Sequence, residues 1–83
     1  MKSITVKIQS YGAIQKLLPQ DLMLTFENEV LVADVLQDVL HDYPDCSFAL
    51  EKCACAIGED IISRHQLIDT DNTLVLLSPV AGG

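Results

Sequence analysis

From Ser3 to Gln9 apolar and polar residues alternate: Ile4, Val6 and Ile8 face one way, Ser3, Thr5, Lys7 and Gln9 the other. That alternation predicts a half-buried strand. Tyr11-Gly12 breaks it, and Ala13 to Leu18 reads as a short connector closed by Pro19. Leu22 to Glu27 follows as a second strand, with Leu22, Leu24 and Phe26 sharing a face. Two strands joined by a short link predict a hairpin.

The period then changes. Val32, Val35, Leu36, Val39, Leu40 and Tyr43 recur at helical spacing, while Asp34, Gln37, Asp38 and His41 fall on the opposite face. This predicts a helix over Val32–Tyr43, ended by Pro44, which cannot continue it. Its start is poorly marked, because Leu31 cannot cap as Ser or Asp would; Asp34 partly compensates through the helix dipole. Ser47 to Lys52 reads as a loose helical turn, and Cys53 to Ile57 as a third strand. Gly58-Glu59-Asp60 turns into a short strand, Ile61 to Ser63, and Thr70-Asp71-Asn72 turns into the last, Leu74 to Ser78. The unbroken apolarity of that strand predicts a central position with both faces covered.

The order predicts an α+β fold: a mixed sheet with its first and last strands parallel and adjacent in the middle, and one main helix packed across one face. Ile4, Val6, Ile8, Leu36, Leu40, Ile57 and Val75 are the expected core.

Composition narrows the possible functions. Eighty-three residues, 49% of them hydrophobic and 20% charged, suit one globular domain. Twelve acidic residues against five basic ones give a formal net charge of −7. That balance argues against nucleic acid and anionic membrane as partners; it suits a partner with a basic face, or simple solubility. The opening MKSITVKIQ has no signal-peptide apolar region, and no run is long enough to span a membrane. Three cysteines, an odd number, predict reduced thiols and a cytoplasmic location.

Cys53-Ala54-Cys55 places two thiols on one face of a strand. Zinc would need four ligands, and Cys46, His41 and His65 complete no usual spacing. Buried cysteine acting as a small hydrophobe is the better reading, with no metal site. His41 and His65 read as surface histidines. No phosphate loop and no nucleophile–base pair appears, so the chain is expected to have no active site of its own.

The last six residues, SPVAGG, are more informative. The glycines closely follow an apolar strand, Pro79 stiffens the exit, and two residues without side chains could thread a narrow channel. The terminal carboxylate of Gly83 is ionised and a poor electrophile, but adenylation by another protein would open it to attack by sulfur or nitrogen. The expected organisation is a body over 1–77 and an extended, flexible tail over 78–83.

With that tail, the chain resembles the small subunit of molybdopterin synthase, the MoaD type of ubiquitin-like β-grasp sulfur carrier. The similarity is strongest in ACAIGEDIISRHQLIDTDNTLVLLSPVAGG, and Tyr11-Gly12-Ala13-Ile14 with Lys16-Leu17 resembles the family's stretch after the first strand. The resemblance implies that Gly83, preceded by Gly82, is adenylated with ATP by an activating enzyme. A sulfur donor system then converts it to a thiocarboxylate. The tail would next enter the large synthase subunit and donate sulfur to a pterin precursor, with no cofactor bound by the chain itself. Pro79, Val80 and Ala81 match the family's exit, while Ser78 replaces a common proline and Asp69-Thr70-Asp71-Asn72-Thr73 departs from the common turn. A patch of Tyr11, Leu77, Ser78 and Pro79 with the exposed side of the final strands, continued by Val80 and Ala81, has the makeup of a docking surface at the base of the tail. Carriers for thiamin, cysteine, siderophore or transfer-RNA thiolation share these features. So does a ubiquitin-like modifier, whose Gly83 would join a target lysine.

Overall fold

Alternation in the first strand has its expected consequence in the computed structural model, which describes residues 3–79. Strand β1 (Ile4–Tyr11) buries Ile4, Val6 and Ile8. It continues through Ser10 and Tyr11 because both pair with β7 (Asn72–Leu77). These two strands run parallel, with Ile8 opposite Leu74 and Tyr11 opposite Leu77. β2 (Met23–Phe26) lies antiparallel on the outer side of β1. On the other side, β4 (Ala54–Ile57) and β5 (Asp60–Ile62) extend the sheet, giving the order β2-β1-β7-β4-β5. The first and last strands are adjacent and parallel, as the pattern predicts.

Helix α1 (Val32–Asp42) buries Val32, Val35, Leu36 and Val39 in the core shared with β1 and β7. Pro44 ends it and opens a 3-10 turn, Pro44–Cys46, leading into the short α2 (Ser47–Glu51). The missing cap at Leu31 is made good from outside the helix. Val32 N–H donates to the Gln66 carbonyl and Ala33 N–H to the Arg64 carbonyl, each at 2.9 Å. Two first-turn donors that have no intrahelical partner are thereby satisfied. The same loop carries β6 (Leu67–Ile68), which pairs with β3 (Val30–Leu31) in a separate two-stranded sheet. Strands of two residues have no periodicity to read.

Of the expected core, Leu40 and Ile57 pack at the edge of the buried cluster, and Val75 lies outside it. All three are only partly buried. On β7 it is Leu74 and Leu76 that are fully buried. That strand is central, but one face of it is open: the run Leu74–Leu77 is apolar on both faces, and only one is covered by the helix. Ile14 and Leu18, from the connector after β1, fill the core instead, with Cys46, Leu50 and Ile68.

Denaturation measurements separate the two faces of β7. Leu74→Ala should cost about 2–5 kcal/mol, as for a fully buried leucine. Val75→Thr should cost no more than about 1 kcal/mol, because the hydroxyl meets solvent. Equal losses would mean that both faces are covered.

Candidate functional site

The parallel pairing of β1 and β7 brings the end of the last strand to the end of the first. Beyond Leu77 the chain is held on the loop that follows β1. Ser78 N–H donates to the Tyr11 carbonyl at 3.0 Å, and Ala13 N–H donates to the Pro79 carbonyl at 3.3 Å. The Ser78 hydroxyl donates to the Tyr11 carbonyl at 3.0 Å and accepts the Ile14 N–H at 2.9 Å. Between these contacts sits Gly12, which opens the 3-10 turn Gly12–Lys16 at φ +86. A Cβ there would overlap the Ser78 carbonyl, so both the conformation and the space require glycine.

Register places an apolar surface beside this root. Side chains alternate along each strand and directly paired residues share a face, so the positions between the core residues define the open face of the sheet. Tyr11, Leu77 and Ala54 form one row of that face, and Gln9, Val75, Ala56 and Ile61 the next. Ile61 is 67% exposed, Tyr11 45% and Leu77 37%. Neither row contains an acid, although the chain carries twelve. The carboxylates of Asp34, Asp38 and Asp42 lie exposed on α1, across the core from this face. An uncharged, partly aromatic patch of this kind suits docking of a protein surface.

Of the residues singled out in the sequence, Tyr11, Leu77, Ser78 and Pro79 come together at one end of the sheet. Val80, Ala81, Gly82 and Gly83 lie outside the described residues. Ile61 and Val75 lie on the exposed side of the final strands, where the patch is expected, although the strand pattern puts Val75 in the core; Ala54 joins them from β4. Their strands were legible, but which face each residue takes depends on register. Gly12 was legible only as a strand breaker; its contact with Ser78 spans nearly the whole chain.

The three cysteines are buried and free. Burial pushes all three thiols up from their ordinary value, Cys53 to about 11. For Cys53 the neighbouring Cys55 adds to the rise, and Arg64 opposes it. Cys53 donates to the Ala49 carbonyl at 3.3 Å, while Arg64 donates at 3.0 Å to the Leu50 and Cys53 carbonyls at the end of α2. His41 and His65 are both exposed. Among the described residues, no three His, Cys, Asp or Glu side chains group as metal ligands, and no helix is long and apolar enough to cross a membrane.

No protein-family model matches the chain, and no curated protein matches it in sequence. Solved structures do resemble it. The HVO 2177 protein of Haloferax volcanii superimposes with a TM-score of 0.78 at 14% identity, over 98% of this chain and 88% of that one. SAMP1 of the same organism gives 0.74 at 14% identity, over 99% and 100%. A chain from the complex of subunits 1 and 2 of the molybdopterin-converting factor of Helicobacter pylori gives 0.61 at 19% identity, over 99% and 100%. Together with the strand order β2-β1-β7-β4-β5, these likenesses show a ubiquitin-like β-grasp fold.

The thiols supply a pH test. An unfolded thiol ionises near its ordinary 9.0, whereas Cys53 in the folded chain keeps its proton to about 11. The folded state therefore binds that proton more tightly. The stability it contributes is complete below pH 9 and is lost as pH rises toward about 11. Urea midpoints should fall across that window, and less steeply in Cys53→Ala. Iodoacetamide at pH 8 should leave all three cysteines unmodified until denaturant is added. Rapid alkylation of the native protein would show exposed, reactive thiols instead.

Proposed function

We propose that the chain is a sulfur carrier whose reactive group is the carboxylate of Gly83. One observation carries this reading: the hydrogen-bonded root at Ser78-Pro79 stands beside an acid-free apolar patch and leads into Val80-Ala81-Gly82-Gly83. The chain thus joins a docking face to a short segment ending in residues that a narrow channel can admit. In this reading an activating enzyme binds the patch, and a Gly83 carboxylate oxygen attacks the α-phosphorus of ATP. Pyrophosphate leaves, and the resulting acyl adenylate is a mixed anhydride. Sulfide supplied by a donor system then attacks the Gly83 carbonyl carbon and expels AMP, leaving a thiocarboxylate after loss of its proton. The chain supplies the carried group and the handle, and binds no cofactor. Reduced thiols suit a cytoplasmic setting for this chemistry.

The acceptor we favour is a pterin precursor held by a large molybdopterin synthase subunit, docked on Tyr11, Leu77, Ser78 and Pro79. The likeness to the Helicobacter pylori complex, which contains two subunits, and the resemblance over the last third of the sequence support it. Likeness to SAMP1, an archaeal modifier protein, favours a second reading, in which a lysine amine attacks the same adenylate. Up to the adenylate the two readings share every step.

Removing Gly83, or adding a residue after it, moves the carboxylate about 3.5 Å along the chain, more than an aligned attack tolerates. Either change should abolish ATP–pyrophosphate exchange by the activating enzyme of the native cell, with an unchanged circular dichroism spectrum. Full exchange without Gly83 would contradict the proposal. Tyr11→Ala combined with Leu77→Ala should weaken binding to both the activating enzyme and the large subunit by about tenfold or more, as for a docking anchor. Unchanged titrations would place the docking surface elsewhere.

A further inference from the structure

The contacts at the tail root are not equivalent. Two of them, Ser78 N–H to Tyr11 and Ala13 N–H to Pro79, use backbone alone. The other two depend on the Ser78 hydroxyl, which spends its single proton on Tyr11 and one lone pair on Ile14. The Ile14 N–H belongs to the first turn of the 3-10 segment, which has no side-chain cap of its own. Ser78 caps that turn from across the sheet. Ile14 is in turn fixed by its fully buried side chain. Gly12 lies so close to Ser78 that a Cβ on it would overlap the Ser78 carbonyl. Ser78 is therefore held by its side chain and its amide, with its carbonyl close against Gly12, all by the single segment 11–14.

We infer that Ser78, seated on Gly12, is a positioning residue that sets the direction in which the chain leaves the body. This rests on the reading of Gly83 as the activated group, since the aim of the tail matters only if its end must reach a reaction centre. A change of angle at the root shifts where the chain beyond it starts from, and attack on ATP tolerates little misplacement. Patch and root then divide the work. Tyr11 and Leu77 bring the activating enzyme to the chain; Ser78 aims the residues beyond it.

Ser78→Ala removes only the hydroxyl contacts, and Ser78→Thr restores them. Hydrogen exchange followed by NMR reads the root directly: the Ile14 amide should exchange faster in the alanine variant and at the original rate in the threonine variant. In ATP–pyrophosphate exchange with the native cell's activating enzyme, Ser78→Ala should lower kcat between about threefold and tenfold, the range for one or two lost hydrogen bonds. KM for the chain should stay within about twofold, because the docking anchors Tyr11 and Leu77 are retained, and threonine should restore kcat. A purely structural role would lower the melting temperature and leave kcat of the folded protein alone. Fast Ile14 exchange with unchanged kcat would overturn the positioning role, and an Ile14 amide still protected in Ser78→Ala would overturn the contact itself. No exchange with the wild-type chain would refute the reading of Gly83 and, with it, a positioning role toward ATP.

Discussion

The parallel pairing of β1 and β7 is the contact on which the remaining structure depends. It joins the two ends of the chain through the middle of the sheet and unites the β1–β2 pair with the β7–β4–β5 strands in one sheet. It also supplies the surface that α1 covers, with Ile4, Val6 and Ile8 set beside Leu74 and Leu76. Bringing such distant segments together has a loop-closure cost before any other contact offsets it. Register matters as much as adjacency. A slip of one residue would turn Leu74 and Leu76 to solvent and separate Tyr11 from Leu77. The candidate site is thus a product of the same pairing as the core.

One side of the sheet is used for stability and the other is left available. Toward the helix, the apolar side chains are buried, and three cysteines fill space there as small hydrophobes. Toward solvent, Tyr11, Val75, Leu77 and Ile61 remain uncovered and uncharged. Carboxylates gather along the outer side of α1. Such a division concentrates charge on one side and leaves the neutral side as the one suited to docking.

Much of this was legible in the sequence, for identifiable reasons. Alternation at Ile4, Val6 and Ile8 and helical spacing from Val32 to Leu40 follow from local geometry, and local geometry is what a sequence displays. The facing of β7 was not, because Leu74 to Leu77 is apolar at every position and carries no phase. The β3–β6 pair and the burial of Ile14 were equally hidden, since they arise from tertiary contact alone. At the candidate site, the Gly82-Gly83 end was plain from residue type. The grip of Gly12 on Ser78 was not, because its two halves meet only after β1 and β7 have paired.

Intact-mass analysis of the protein recovered from its native cell tests the central claim most directly. A sulfur carrier predicts a population in which one oxygen is replaced by sulfur, with fragmentation placing that sulfur on Gly83. The same species should return to the plain carboxylate on incubation with the sulfur acceptor and the large subunit. A protein carrying only the carboxylate, alongside Gly83 joined to lysines of other proteins, would contradict the carrier account and establish a modifier.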